Sequence, residues 1–178
     1  MKKHAYLIMV HKNIEQVQRL VNALDSEYND IYIHIDKKYH CDKQKITTSF
    51  SKLYIFSNID VKWGDYSIVE CELLLLKKAI NGNYSYYHLL SGEDFPIKKK
   101  SEIYNFFEKN KKEFIFFTNS NINSKDMDRV LYKHVMLGKL RSSQKKIINK
   151  LYFEIDNLFI RLYKIARKNK KLYLNIIY

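Results

Sequence analysis

Apolar and polar positions along this chain keep two periods. Short apolar runs of strand length recur at Lys3–Val10, at Asp30–Asp36, at Leu53–Phe56, at Tyr86–Leu90 and at Phe114–Phe117. Between them the apolar residues step by three and four. Val17, Leu20, Val21 and Leu24 do so after Asn13, a helix-capping residue with Gln16 three positions on. A second helical segment runs from about Ser67 to Ile80 and ends at Asn81-Gly82-Asn83. A shorter one covers Glu102–Lys109, opened by Ser101 and Glu102. Strands alternating with helices predict an α/β fold with a largely parallel sheet. Tyr86–Leu90 reads as a buried strand.

The pattern changes past Asn119. Asn and Ser fill 119–124 as a loop, and 125–139 is mixed and reads as helical. From Ser142 to about Ala166, Ile148, Leu151, Ile155, Leu158, Leu162 and Ile165 form a narrow apolar seam with a basic opposite side. The expected division is therefore an α/β region over 1–118 and a basic, mainly helical segment over 119–178.

Charge and composition sharpen this picture. The 178 residues are 46% hydrophobic and 15% aromatic, enough for a packed core and unlike a disordered chain. Net charge is +13, and residues 139–178 carry +9 of it, with 11 Lys/Arg against Glu154 and Asp156. Such a block is either a solvated face or a contact for an anionic partner, a lipid surface or nucleic acid. Cys41 and Cys71 show neither paired nor metal-like spacing, which fits a reducing compartment. The apolar run after Met1-Lys2-Lys3 is too short for a signal peptide core or a membrane span, and no later stretch of about 20 residues is free of charge.

Candidate chemistry gathers at strand ends. In a parallel sheet the carboxyl ends of neighbouring strands share one rim, where α/β proteins bind ligands. Val10-His11 ends the first strand and His34-Ile35-Asp36 the second, so Asp36 could accept hydrogen bonds from a nucleoside and His11 could offer a polar edge. Tyr84–Phe107 holds Pro96, the only proline, and breaks its strand with Ser91-Gly92-Glu93-Asp94. In Trp63-Gly64-Asp65-Tyr66-Ser67 the indole could stack on a base, Gly64 allows close approach, and the following helix N-terminus could attract phosphate. Each of these also suits a plain role: solvated strand ends, a tight strand-to-helix turn, a buried Trp beside a helix cap. His88 reads as a core residue and His134 as a helix-surface one. No Gly-rich phosphate loop and no zinc pattern occurs, and Asp126-Met127-Asp128 is a short D-x-D remote from any strand end.

Four stretches, in this order and spacing, resemble the core-2/I-branching β-1,6-N-acetylglucosaminyltransferase family, which also contains peptide O-xylosyltransferases. They are AYLIMVHKN with the helix after it, IYIHIDKK, VKWGDYSIVECELLLLKKAI and YYHLLSGEDFPIKKKSEIYNFF, together spanning residues 4–110. The resemblance implies a GT-A-like fold, a UDP-sugar donor, transfer with inversion, and no bound metal or other cofactor. It places Val10 and His11 beside the nucleotide, gives Asp36 the uridine, and sets Trp63 and Gly64 in the loop near the donor. It gives Gly92 and Asp94 a supporting role. The family's catalytic glutamate and its diphosphate-binding basic residues have no counterpart after residue 119, so the base is expected beyond Tyr178. The chain then resembles the N-terminal part of such an enzyme.

The function expected on this basis is inverting glycosyl transfer from a UDP-sugar to a glycan or lipid-linked glycan, in bacterial surface-glycan synthesis. Residues 142–171 would rest on an anionic membrane at its cytoplasmic face, and nucleic acid would not be a partner. A basic nucleic-acid-binding module and a catalytically inactive remnant are the competing readings.

Overall fold

The computed structural model describes residues 2–62, 64–114 and 146–168. The chain divides into two units, residues 1–114 and 115–178. Trp63, the expected strand residues after Phe114, the loop and helix expected across 119–139, Asp126 and Asp128, and His134 lie outside the described residues.

In the first unit, strands β1 (His4–Val10), β2 (Asn29–Ile35), β3 (Lys52–Phe56) and β4 (Tyr86–Ser91) form one sheet in the order β3-β2-β1-β4. Every pairing is parallel, and Val10 lies opposite Ile35 while Met9 lies opposite Ser91. Helix α1 (Ile14–Leu24) joins β1 to β2, α2 (Ser67–Ala79) lies between β3 and β4, and α3 (Lys100–Asn110) follows β4. The expected α/β architecture with a parallel sheet is thus the one observed.

Alternation along β1 sets the two layers. Tyr6, Ile8 and Val10 face α1, meeting Val17, Leu20, Val21 and Leu24, with Ile31, Ile33 and Ile35 of β2 beside them. Those four α1 side chains are essentially sealed from water, and each such burial contributes about 1.5–3 kcal/mol relative to exposure. Ala5 and Leu7 point the other way, onto Leu75 and Ala79 of α2. The buried residues of α2, Ser67, Cys71, Leu75 and Ala79, recur every four positions and hold one stripe of that helix against the sheet. The helix starts follow local chemistry. Asn13 takes φ 53° and its Oδ1 accepts from the Gln16 amide at 3.3 Å. The reciprocal half of a capping box is missing, because Gln16 Oε1 accepts instead from Arg19 Nε at 3.2 Å. After α2, Asn83 adopts the left-handed conformation at φ 53° and turns the chain into β4.

Strand β4 differs from its expected burial. Tyr87 is 37% and Leu89 46% exposed, alternating with partly buried neighbours. Among the described residues β4 pairs only with β1, and α2 packs nearer β1 and β2, so one face of this edge strand is left open. The opposite face of β4 is covered. His88 stacks on Tyr6 at 4.6 Å between centroids and meets the edge of Phe107 from α3 at 4.6 Å. His88 is therefore a partly buried member of an aromatic cluster rather than a fully enclosed core residue.

The second unit contributes helix α4 (Lys146–Lys168). Its sheltered side is not the expected seam. Ile148, Tyr152, Ile155 and Asp156 are sheltered, whereas Leu151, Leu158 and Leu162 are each more than half exposed. The sheltered stripe is rotated off the leucines by one position per turn, onto a face that includes the polar residues Asn149, Asp156 and Asn157. Hydropathy alone assigns leucine to the inside and so places the stripe wrongly. No described helix is long and apolar enough to cross a membrane.

Candidate functional site

The strand order makes a switch point. From β1 the chain builds outward through β2 and β3 on one side, then returns with β4 on the other, and the connecting helices α1 and α2 lie on opposite faces. A crevice is expected outside the carboxyl ends of the strands where the order reverses. A cleft of about 500 Å³ lies there, within the range of small-molecule sites. Met9, Val10 and His11 of the β1 end, His34 and Asp36 of the β2 end, and Ser91 and Glu93 of the β4 end line it, closed by Lys38, Val61 and Ile68.

Asp36 is the centre of this rim. Its amide donates to the Val10 carbonyl at 2.7 Å, which continues the β1–β2 ladder one step past the strands. The residue is 2% exposed. Its Oδ1 accepts from the amides of Lys38 at 3.2 Å and Val61 at 3.4 Å, and Lys38 Nζ lies 3.5 Å from Oδ2. The carboxylate thereby ties the loop after β3 to the end of β2. Two further bonds do the same. Lys37 donates its amide to the Ile59 carbonyl at 3.0 Å, and the Ile59 amide donates to His34 Nε2 at 3.2 Å. Lys38 Nζ also reaches Asp60 Oδ1 at 2.9 Å and the Val61 carbonyl, and the bond to Asp60 raises the lysine above its ordinary pKa.

The opposite lip is a surface ion cluster. Glu93 Oε1 lies 2.9 Å from Lys12 Nζ, and Glu93 Oε2 lies 3.7 Å from His11 Nε2. The Lys12 hydrogen bond holds the Glu93 carboxyl below its usual range. Counted together, Lys38 and Lys12 balance Asp36 and Glu93, so the wall carries little net charge. Such a wall suits an uncharged polar ligand group, a base or a ribose, better than an exposed run of phosphates. No three His, Cys, Asp or Glu side chains converge as a metal site among the described residues.

The structure gathers some of the sequence-selected residues and separates others. Val10, His11 and Asp36 meet in the cleft. Gly92 is buried just behind it. Its amide donates to the Met9 carbonyl at 2.8 Å, and a β-carbon there would stand 3.1 Å from methyl groups of both Val10 and Val17. Gly92 is thus a close-approach glycine between the sheet and α1. Asp94 faces away from the cleft: its carboxylate accepts from the Ser91 amide at 2.7 Å and closes the turn after β4. Gly64, at φ 69°, is not among the residues lining the cleft. The α2 N-terminus was expected to be open to phosphate. Instead Asp65 Oδ1 accepts from the Ser67 amide at 3.0 Å, and that bond lowers the Asp65 pKa. A carboxylate already sits where the anion would go.

Among the cleft residues given no site role in the sequence are His34, Lys38, Val61 and Ile68. His34 and Lys38 flank Asp36 in IHIDKK, and same-face spacing along a strand marks His34 as Asp36's neighbour. Val61 and Ile68 give no local signal, because only the fold of the loop brings them to the rim.

Comparison with known proteins adds independent findings. The sequence model of the Core-2/I-branching enzyme family matches residues 4–157. A human β-1,3-galactosyl-O-glycosyl-glycoprotein β-1,6-N-acetylglucosaminyltransferase is 35% identical over 106 residues, covering 56% of this chain and 25% of the relative. A Bos taurus protein of the same description is 32% identical over the same shares. One from bovine herpesvirus 4 is 28% identical, covering 56% of this chain and 24% of that protein. The chain thus spans about a quarter of the length of the curated relatives it matches.

Proposed function

This chain belongs to the Core-2/I-branching enzyme family, and on that premise we propose that its cleft holds the nucleoside of a UDP-sugar donor for a GT-A-type, inverting glycosyltransferase. The observation that carries the reading is the place of Asp36: a buried carboxylate at the rim of the switch point, on the wall of a cleft of ligand size. The near-balanced charge of that wall supports a base and ribose there and puts the diphosphate elsewhere. The described residues are assigned the nucleoside, and the general base and the diphosphate contacts are left to the rest of the enzyme. The transferred sugar is N-acetylglucosamine by likeness to the named relatives. The acceptor is a glycan or lipid-linked glycan, and the setting is bacterial surface-glycan synthesis in the cytoplasm.

Binding is proposed to need no divalent metal. Calorimetric titration of UDP should give the same affinity in EDTA and in Mn²⁺, and Asp36→Ala should weaken it by about 1–3 kcal/mol, the range for removing a polar partner. Affinity that vanishes in EDTA and returns with Mn²⁺ contradicts the metal-free reading. Heat with single-stranded RNA and none with UDP contradicts the glycosyltransferase reading itself.

Contact with an anionic membrane belongs to the same proposal. Leu151, Leu158 and Leu162 stand exposed along α4, with Lys150 and Arg161 exposed among them. An amphipathic, basic helix of this kind lies in a lipid interface. The protein should co-sediment with vesicles of anionic lipid and remain in solution with purely zwitterionic ones. Equal recovery with both would exclude this contact.

A further inference from the structure

A second groove lies along strand β3. Helix α2 packs over β1 and β2 and leaves β3 open beside it. Lys52, Tyr54 and Phe56 alternate onto one face of that strand. With Lys78 of α2, and Asn81 and Tyr84 beyond it, they line a groove of about 490 Å³, a volume usual for small-molecule sites. No residue lines both this groove and the cleft at the strand ends.

The floor of the groove is aromatic. Tyr54 stacks on Tyr32 at 4.5 Å between centroids and is still 37% exposed. Lys78 Nζ stands 5.5 Å from the centre of the Phe56 ring. A cation over a ring face keeps its N–H groups for another partner. Asp30 is the carboxylate of the groove, and it is already satisfied. Its Oδ2 accepts from the Tyr84 hydroxyl at 2.7 Å, and its Oδ1 from Lys3 Nζ at 2.9 Å and the Lys52 amide at 3.2 Å. Lys3 balances its charge. The ammonium groups of Lys52 and Lys78 form no ion pair among the described residues. The groove therefore carries an excess of two positive charges over an aromatic floor.

A complementary ligand has an apolar face, hydroxyls around its rim and one anionic group. A pyranose that bears a carboxylate combines all three, because the C–H groups on one face of its ring can lie against an aromatic side chain. A polyanion fits less well. Two ammonium groups supply only two phosphate contacts, and residues 139–178 hold most of the positive charge of the chain. We propose that this groove binds an acidic sugar unit, a pyranose of the uronic-acid type, with Tyr54 as its stacking platform and Lys52 and Lys78 as the partners of its carboxylate. The proposal is independent of the nucleotide reading of the cleft.

The test follows the amide spectrum of the full ¹⁵N-labelled 178-residue chain during titration with glucuronic acid, glucose, acetate and single-stranded RNA. Glucuronic acid should give saturable shifts at Lys52, Tyr54 and Asn81. It should bind about three- to tenfold more tightly than glucose, the scale of two partly exposed ion contacts. Replacing both lysines, Lys52→Gln with Lys78→Gln, should bring the two sugars to within about twofold of each other. Tyr54→Ala should weaken both sugars. All three side chains are exposed, so the variants are expected to fold. Acetate reproducing the glucuronic acid shifts at equal affinity would mark an adventitious anion only and overturn the proposal. Glucose binding as tightly as glucuronic acid, RNA shifting these amides where glucuronic acid does not, or no response to either sugar would overturn it as well. Each of these results leaves the nucleotide reading standing, because UDP binding is read at Val10 and Asp36.

Discussion

Acidification from pH 6.5 to 4 is expected to remove about 3 kcal/mol of folding stability through His88 alone. Burial among Tyr6, Tyr86 and Phe107 lowers this histidine to about 4, and the neighbouring His4 pushes in the same direction. His88 Nε2 and His4 Nδ1 lie 3.1 Å apart, which is compatible with one shared proton and unfavourable for two charged rings. His4 is itself lowered by burial, although Glu108, 3.5 Å from its Nε2, works the other way. The unfolded chain takes up a proton at His88 near its ordinary value of 6.5, well before the folded chain does. The folded state is therefore at full stability above pH 6.5 and loses stability as pH falls toward 4. Each unit of pKa difference is worth about 1.4 kcal/mol, which gives the figure above. His4 and His34, both lowered by burial, add to the decline in the same direction. Urea unfolding at pH 7, 5.5 and 4 should show the decline, and it should be smaller in His88→Phe than in the natural sequence. A C2 proton resonance of His88 that titrates near pH 6.5 in the folded protein would contradict the account.

Asp25→Ala should cost about 2–4 kcal/mol. The residue is 7% exposed at the end of α1, and its carboxylate accepts the amides of Ser49 at 2.6 Å, Ser51 at 2.7 Å and Phe50 at 3.1 Å. Burial pushes this carboxyl upward, but the three amide bonds outweigh it and hold the group below its usual range. Bonds to a charged acceptor contribute about 1.5–3 kcal/mol, and removal leaves partly buried amides without a partner. The turn that leads into β3 would lose its anchor to the end of α1. Asp25→Asn retains an acceptor and should lose less. A urea midpoint unchanged by Asp25→Ala would show that the loop is held by other means.

Asp25 also marks where sequence reading stops. Its partners lie 24 to 26 residues away, and no local pattern announces them. Strands and helices were legible because their periods are local, and the α1 stripe from Val17 to Leu24 is written in hydropathy; the stripe of α2 is not, since Ser67 is buried while Val69, Leu73 and Leu76 are exposed. Burial of β4 was not legible: among the described residues it pairs on one side only, and an apolar run has the same composition there as in the middle of a sheet. The α4 stripe failed for a related reason, since its sheltered face includes Asn149 and Asp156. At the cleft, parallel topology alone put Val10, His11 and Asp36 on one rim. The Ile59 bond to His34 was not legible, because it exists only once the loop after β3 has folded back on β2.

The central claim is that the rim built by β1, β2 and β4 receives a uridine nucleotide. Amide chemical-shift mapping of the ¹⁵N-labelled chain during a UDP titration tests it most directly. The account predicts saturable shifts at Val10, His11, Asp36, Lys38 and Val61, with little change at His4, Asn29 and Tyr86, where these three strands begin. Shifts confined to the amino ends of the strands or to α4, or no shifts at millimolar UDP, would contradict it.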